Sequence, residues 1–195
     1  MRFEKWGITG WLSLLVLAMV IIILITSGTN EHGLGVALRA TARTSAILFC
    51  LAFSTTALLA LDKNRATRWL RANRRYVGVS FAVSHFLHLG LIVWLALAFP
   101  DPFFADRGAA EFVGGGLAYF FIAAMAATSF DKTTRWLGAQ RWRLLHLVGG
   151  WYIWFIFAQR YAKTVIVEPS YVPLALLFAA VLVLRLWVRF DRKSR

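Results

Sequence analysis

The chain has 195 residues, of which 59% are hydrophobic, and its mean hydropathy is +0.64. Too few polar residues remain to cover an ordinary water-soluble domain, so the composition excludes that class and predicts an integral membrane protein. The net charge of +13 would suggest nucleic-acid binding in a soluble protein, but in a membrane protein its distribution along the chain decides its meaning.

Six apolar segments are each long enough to cross about 30 Å of hydrocarbon. They predict an all-α fold, a six-transmembrane-helix bundle forming a single domain over residues 1–195. The segments lie near 8–27, 44–61, 76–99, 111–130, 144–162 and 171–189. The first segment lacks a small-residue cleavage site, so we interpret it as a retained anchor and not as a signal peptide. The single cysteine, Cys50, lies in the second segment and excludes an internal disulfide.

The connections between the segments differ in charge. The N-terminus, the second and fourth connections and the C-terminus are basic, through Arg2, Lys5, Lys63, Arg65, Arg68, Arg71, Arg74, Arg75, Lys132, Arg135, Arg141, Arg143, Arg189, Arg192, Lys193 and Arg195. The remaining connections mix both signs, through Glu31, Arg39, Arg43, Asp101, Asp106, Arg107, Glu111, Arg160, Lys163 and Glu168. The positive-inside rule predicts that both termini are cytoplasmic in a bacterial inner membrane. The charge therefore reflects topology and contact with lipid headgroups, not nucleic-acid binding.

Three of the four histidines, His85, His88 and His146, lie in predicted membrane segments. An ionisable side chain at that depth is costly enough to suggest function. His85 and His88 are three residues apart, so they lie near one face of the third helix. Two interpretations fit these imidazoles: hydrogen bonds between helices, or ligation of a metal or haem iron between facing helices.

Several short motifs, in this order along the chain, resemble the ferric-reductase-like transmembrane domain family, especially its bacterial MsrQ/YedZ branch of haem-binding membrane subunits. The motifs are Gly33-Leu34-Gly35, Thr41-Ala42-Arg43-Thr44, Arg74-Arg75-x-x-Gly78 with His88 thirteen residues after Arg75, Thr128-Ser129, Leu137-Gly138 and Arg141-Trp142-Arg143-Leu144-Leu145-His146. The likeness covers nearly the whole chain. It implies a six-helix membrane cytochrome that binds b-type haem between helices three and five through pairs of histidines.

The function implied by this resemblance is electron transport across the bilayer, as an oxidoreductase subunit. Electrons would come from a cytoplasmic flavoprotein, FMN or a quinol and would leave to a periplasmic redox partner or another acceptor on the outer face. The alternative is a haem-free member of the same fold that acts as a membrane subunit, assembly factor or scaffold. A transporter is disfavoured, since the segments lack paired acidic residues at depth and show no inverted repeat.

The same resemblance assigns His88 to the outer haem position on helix three and His146 to the inner position on helix five. The family has a further histidine thirteen residues beyond the latter, and Gln159 stands at that position here. Counting about 1.5 Å per residue from the flanking arginines, His88 lies about 20 Å deep, Gln159 about 24 Å and His146 about 5 Å. On the same count His85 lies at about 15 Å.

Three arrangements stay open on this count of depths. His85 or His88 pairs with His146 if the two helices are offset or tilted. A single histidine holds a five-coordinate haem, or Met125, roughly level with His146, supplies the second ligand. In the third arrangement the site has lost haem, and the histidines form hydrogen bonds between helices.

A bound haem would need positive charge for its propionates, because an unpaired buried carboxylate is costly. Arg74 and Arg75 on the inner side, with Arg43 or Arg160 on the outer side, are the candidates, and contact with lipid phosphate is the alternative role for each. The inner cluster, which also includes Arg68 and Arg71, is equally suited to dock an acidic flavoprotein or a quinone headgroup.

Overall fold

The computed structural model describes residues 4–105 and 108–191, and every element within these ranges is helical. The helices are α1 (Trp6–Ser27), α2 (Glu31–Leu61), α3 (Arg65–Ala98), α4 (Pro100–Ala105), α5 (Ala109–Ala127), α6 (Asp131–Leu137), α7 (Ala139–Val167) and α8 (Val172–Asp191), with a 3-10 helix Pro169–Tyr171 before α8. The predicted all-α class is confirmed for the described part of the chain. Six of the charged residues used to predict the topology lie outside it, namely Arg2, Asp106, Arg107, Arg192, Lys193 and Arg195.

Five helices within the described ranges are long and apolar enough to cross a membrane: α1, α2, α3, α5, and α8 with its preceding 3-10 helix. The fifth predicted segment lies in α7, which has 29 residues but falls short in apolar character. Its glycines, tryptophans and tyrosines, together with His146 and Gln159, lower the mean hydropathy of the helix. The structure therefore supports a helical membrane protein with five candidate spans, one fewer than the sequence predicts.

The connection between α1 and α2 is shorter than predicted. Asn30 caps α2, its side chain accepting a hydrogen bond of 2.9 Å from the backbone N–H of Gly33. His32, in the predicted connection between the first two segments, therefore lies exposed in the first turn of α2. A Cβ atom at Gly33 would lie 1.9 Å from the carbonyl oxygen of Gly28. The close approach of the two chain segments therefore requires a glycine here.

The start of α1, the start of α3 and the end of α5 lie at one end of the bundle. The backbone N–H of Lys5 donates a hydrogen bond of 3.0 Å to Asn73 Oδ1, and the rings of Trp6 and Phe130 stack at 5.1 Å. Most of the predicted second and fourth connections is helical in the structure. We call this end the basic end, because the α2–α3 connection, the start of α3, α6 and the start of α7 carry Lys63, Arg65, Arg68, Arg71, Arg74, Arg75, Lys132, Arg135, Arg141 and Arg143.

An aromatic core joins α2, α3, α7 and α8. The ring of Phe49 lies 5.1 Å from that of Phe53, 5.3 Å from Phe81, 5.8 Å from Phe157 and 6.2 Å from Phe178. Lipid tails are as apolar as these rings, so the core is stabilised mainly by close packing and not by removal from water. This packing holds α3 and α7, which carry the three embedded histidines, in place.

Candidate functional site

A cavity of about 350 Å³ lies at the basic end, between α2, α3, α5 and α7. Small-molecule sites occupy roughly 300–1,000 Å³, so the cavity has the size of a ligand site. We call it the basic cavity. Its main apolar walls are Phe49, Phe53, Phe81 and Ile122, and its main polar lining residues are Arg71, Arg74, Arg75 and His146.

Two glycines in the lining face α2, and one of them lets the helices around the cavity approach closely. At Gly78 on α3 a Cβ atom would lie 4.0 Å from that of Ala52, which is an ordinary contact. At Gly150 on α7 a Cβ atom would lie only 3.0 Å from Cε2 of Phe53. Helix α7 continues without a break through Gly149 and Gly150. Gly150 therefore allows close packing, as small residues do between membrane helices.

His146 is oriented by aromatic stacking and is only weakly hydrogen-bonded. Its ring stacks on Trp142 at 4.2 Å, and Trp142 is fixed by a hydrogen bond of 3.0 Å from its Nε1 to the carbonyl oxygen of Thr128. His146 Nε2 lies 3.5 Å from the Thr128 hydroxyl, which itself donates to Ala124 at 2.7 Å. A contact of 3.5 Å is at the limit of hydrogen bonding. The imidazole can therefore bind a ligand while giving up one weak contact.

The arginines of the cavity differ in their partners. Arg75 Nη2 lies 2.6 Å from Asp131 Oδ1. This hydrogen bond and the positive charge beside it lower the pKa of the Asp131 carboxyl, which stays ionised and balances Arg75. Among the described residues, no carboxylate lies within 4.0 Å of Arg71 or Arg74. These two guanidinium groups are therefore the ones free to bind an anion.

His85 and His88 lie outside the basic cavity, in a second region that we call the imidazole stack. It consists of His85, His88 and Tyr119: the ring of His85 lies 5.2 Å from that of His88 and 4.9 Å from that of Tyr119. Phe81 lines the cavity and also contacts His85 at 5.6 Å between ring centroids. The structure therefore places His146 on one side of Phe81 and His85 on the other.

The tautomer of His88 follows from its neighbour Thr41. The Thr41 hydroxyl has one proton, which it donates to the carbonyl oxygen of Ala37 at 2.8 Å. It also lies 2.9 Å from Nδ1 of His88, so we assign the proton of that bond to Nδ1. The Nε2 atom of the neutral ring then carries a lone pair. Thr41 belongs to a sequence motif noted above, but the sequence did not indicate this role.

The imidazole stack also contains polar atoms without partners. His85 Nδ1 and the Tyr119 hydroxyl are buried and have no hydrogen-bond partner among the described residues. No group of three or more histidine, cysteine, aspartate or glutamate side chains suited to hold a metal ion occurs within residues 4–105 and 108–191. In this part of the chain, ligation therefore depends on one or two imidazoles.

Gln159 and Met125 point in different directions. Gln159 is exposed on α7, two residues and hence about 200° around the helix from the buried Phe157. Gln159 thus lies on the side of α7 away from the core. Met125 lines the basic cavity together with His146, so the two residues expected at one depth do share a site.

The outer arginines already have partners at the end of the bundle opposite the basic end. Arg43 Nη2 lies 3.8 Å from Glu168 Oε1, and its guanidinium lies 4.5 Å from the ring centroid of Tyr171. Arg160 Nη1 lies 4.0 Å from Glu111 Oε1. Neither arginine lines the basic cavity.

Arg185 on α8 was missed by sequence reasoning. Its guanidinium lies 3.8 Å from the ring centroid of Phe53 and 5.0 Å from that of Trp151, and it donates a hydrogen bond to the Phe53 carbonyl. The signal was present in the sequence as an arginine four residues before Arg189, the last residue of the apolar segment 171–189. The charge pattern of the connections did not include it.

Together, the fold and the cavity describe a helical protein with five candidate membrane spans and a cavity of the size of a small-molecule site. The site offers one weakly held imidazole, a thioether, two guanidinium groups without a carboxylate partner among the described residues, and aromatic walls. Such a lining suits a flat amphipathic ligand that carries acidic groups. Comparisons of the chain with protein-family models, with curated proteins and with solved structures found no match.

Proposed function

We propose that the protein transfers electrons across a membrane, as a ferric-reductase-like oxidoreductase subunit that holds b-type haem in the basic cavity. Electrons would enter from a cytoplasmic flavin or quinol donor and leave to an acceptor on the outer face. The observation that carries this proposal is the position of His146, whose weakly held imidazole lines a cavity with aromatic walls and unpaired arginines.

The residues of the basic cavity fit the three needs of a haem. His146 offers an imidazole nitrogen for the iron, and Trp142 orients its ring. Phe49, Phe81 and Ile122 offer apolar walls for a flat macrocycle. Arg71 and Arg74 offer charge-assisted hydrogen bonds to carboxylates. When bound, the haem would supply one-electron redox chemistry, while the protein orients it and excludes water.

A row of aromatic rings supports transfer away from the basic end. The ring of Phe81, in the cavity wall, lies 6.2 Å from that of Phe157, which lies 6.0 Å from Tyr161. Tyr161 in turn lies 5.8 Å from Tyr171, beside the outer ion pair of Arg43. We propose that electrons pass along this direction to a periplasmic partner.

The proposed topology has six spans, with α7 as the sixth. Its 29 residues correspond to about 43 Å of helix, enough to cross a bilayer. Both termini would be cytoplasmic in a bacterial inner membrane, because arginine and lysine are concentrated at the basic end. The arginines there would also contact lipid headgroups and dock an acidic flavoprotein or a quinone.

A second candidate function is that of a haem-free subunit, assembly factor or scaffold of the same fold. The separation of the histidines favours it: His146 is the one histidine in the lining of the basic cavity, and His88 is bonded to Thr41. Gln159, at the position where the family has a histidine, is exposed.

Optical spectra of the detergent-purified protein, air-oxidised and dithionite-reduced, with haem quantified against protein, test the first proposal. A single axial imidazole predicts near-stoichiometric haem with a broad, high-spin spectrum. His146→Ala should remove the Soret band, and His85→Phe, which keeps the ring stack outside the cavity, should leave it unchanged.

Other outcomes of this experiment have defined meanings. Sharp reduced α and β bands would indicate a second ligand, and their loss in Met125→Leu would identify it as Met125. The absence of a Soret band after haem-supplemented expression would overturn the proposal and favour the haem-free function.

A further inference from the structure

We propose that Arg185 is the third cation at the basic cavity without a described carboxylate partner and that, together with Arg71 and Arg74, it makes the cavity select a flat ligand with two acidic groups. The inference rests on the small-molecule site of the proposed function and names the class of its ligand. It does not depend on iron.

Arg185 is half-buried against α2 and α7 and has no compensating acid among the described residues. Its guanidinium is covered by the rings of Phe53 and Trp151, at 3.8 and 5.0 Å from their centroids. Its Nε is buried without a hydrogen-bond partner among the described residues, and no described carboxylate lies within 4.0 Å of it. An unpaired cation in a membrane helix is costly and indicates a function.

The direction of the Arg185 side chain argues against a role in lipid binding. Arginines near the ends of membrane helices normally extend toward the headgroups. Arg189, one turn further along α8, is exposed and suits that role. Arg185 instead donates a hydrogen bond to the Phe53 carbonyl, on the helix that forms a wall of the cavity.

The charge of Arg185 lies directly behind the part of the cavity wall that Phe53 forms. The Phe53 side chain lines the cavity, and the guanidinium of Arg185 lies over the same ring. No water layer fits within a ring contact of 3.8 Å, so the charge is weakly screened and acts through an apolar ring. A negative group in the cavity would therefore be attracted by Arg185 without touching it.

The balance of charges indicates the number of acidic groups. Asp131 balances Arg75 at 2.6 Å, whereas the described residues provide no carboxylate within 4.0 Å of Arg71, Arg74 or Arg185. Arg71 and Arg74 line the cavity directly, so each can bind one acidic group. Two negative charges would relieve most of the mutual repulsion of the three guanidinium groups.

The test compares two probes with the same macrocycle: free-base protoporphyrin IX, with two carboxylates, and its uncharged dimethyl ester. Binding is measured by porphyrin fluorescence with the full chain in phosphatidylcholine nanodiscs, and the signal of empty nanodiscs is subtracted. We expect the diacid to bind at least about tenfold more tightly than the ester.

The variants test Arg74 and Arg185 separately. Arg74→Met should lower the preference for the diacid by about tenfold, and Arg185→Met by about threefold. Arg185→Lys, which keeps the charge, should retain the preference. Arg189→Met is the matched control on the same helix and should leave the preference unchanged.

Equal binding of the diacid and the ester by the unaltered protein, or binding of neither, would overturn the inference. So would an unchanged preference in Arg185→Met, or a loss in Arg185→Lys as large as that in Arg185→Met. If Arg185→Met fails to fold, Arg185→Gln replaces it in the same comparison with Arg185→Lys. If the protein prefers the diacid but shows no Soret band, the proposed haem binding is wrong and this inference stands. If the protein shows a haem spectrum but does not prefer the diacid over the ester, this inference is wrong and the proposed haem binding stands.

Discussion

The basic cavity and the imidazole stack place the same kind of side chain in opposite surroundings. His146 faces free volume, keeps one contact of 3.5 Å and has unpaired arginines in the same lining. His88 is bonded to Thr41 at 2.9 Å and stacked on His85. The comparison teaches that free volume and hydrogen-bond partners, more than depth in the bilayer, decide whether a membrane-embedded histidine is available to a ligand.

Phe81 separates the two regions, and its removal should have the largest effect. Its side chain is 3% exposed and contacts Phe49 and His85. Phe81→Ala should lower the free energy of unfolding by about 3–5 kcal/mol, because it leaves a void in a packed core. Thermal or denaturant unfolding in detergent measures this. Phe120→Ala, at a side chain that is 63% exposed, is the control, and a similar loss in both variants would contradict the role of Phe81.

The second prediction concerns the shape of the basic cavity. A Cβ atom at Gly150 would lie 3.0 Å from Cε2 of Phe53, so Gly150→Ala must displace the ring that forms a cavity wall. We expect porphyrin binding to weaken about tenfold and the protein to lose about 1–3 kcal/mol of stability. Gly115, where a Cβ atom would meet nothing within 4 Å, provides the control variant Gly115→Ala. Unchanged binding in Gly150→Ala would show that the ligand does not use this wall.

The third prediction concerns the imidazole stack alone. Thr41→Val removes the acceptor of the His88 Nδ1–H group, and a hydrogen bond between membrane helices contributes about 1 kcal/mol. Stability should fall by that amount, whereas Thr41→Ser should retain it. Porphyrin affinity should stay within about twofold of the unaltered protein, since Thr41 does not line the cavity. A larger change in affinity would mean that the two regions are coupled through Phe81.

The smallest effect is expected at the ion pair between Arg75 and Asp131. The hydrogen bond and charge of Arg75 lower the pKa of Asp131, so the stabilisation by this pair is complete above the ordinary carboxyl pKa of about 3.9. It is lost as the pH falls through the lowered pKa. Asp131 is largely exposed, so the change in stability should be small.

Asp131→Asn should mimic the low-pH state at neutral pH. It releases Arg75 to the cavity, and affinity for the diacid porphyrin should rise about twofold. Asp62→Asn is the control, since Asp62 accepts a hydrogen bond from Asn64 and has no described ion pair. Weaker binding in Asp131→Asn would mean that the pair shapes the cavity and does not merely neutralise Arg75.

Hydropathy and charge along the chain were enough to predict the helical class, the apolar segments and the clustering of arginines toward one end. These are local properties, because a membrane segment must satisfy its own backbone hydrogen bonds and bury its own apolar side chains in lipid. The predicted span in α7 stays a prediction, since a helix with many aromatic residues, glycines and polar side chains lies near the limit of what hydropathy can identify.

The tertiary structure alone decided which of the candidate residues share a site. A rise of about 1.5 Å per residue predicts the height of a side chain on its helix, but neither its direction nor the free volume beside it. That is why His146 and Met125 lie together in a cavity while Gln159 lies on the outside of α7, and why Arg185, hidden in an apolar segment, lies behind the cavity wall. Direction and free volume are set by the packing of neighbouring helices, which arises only when the whole chain has folded.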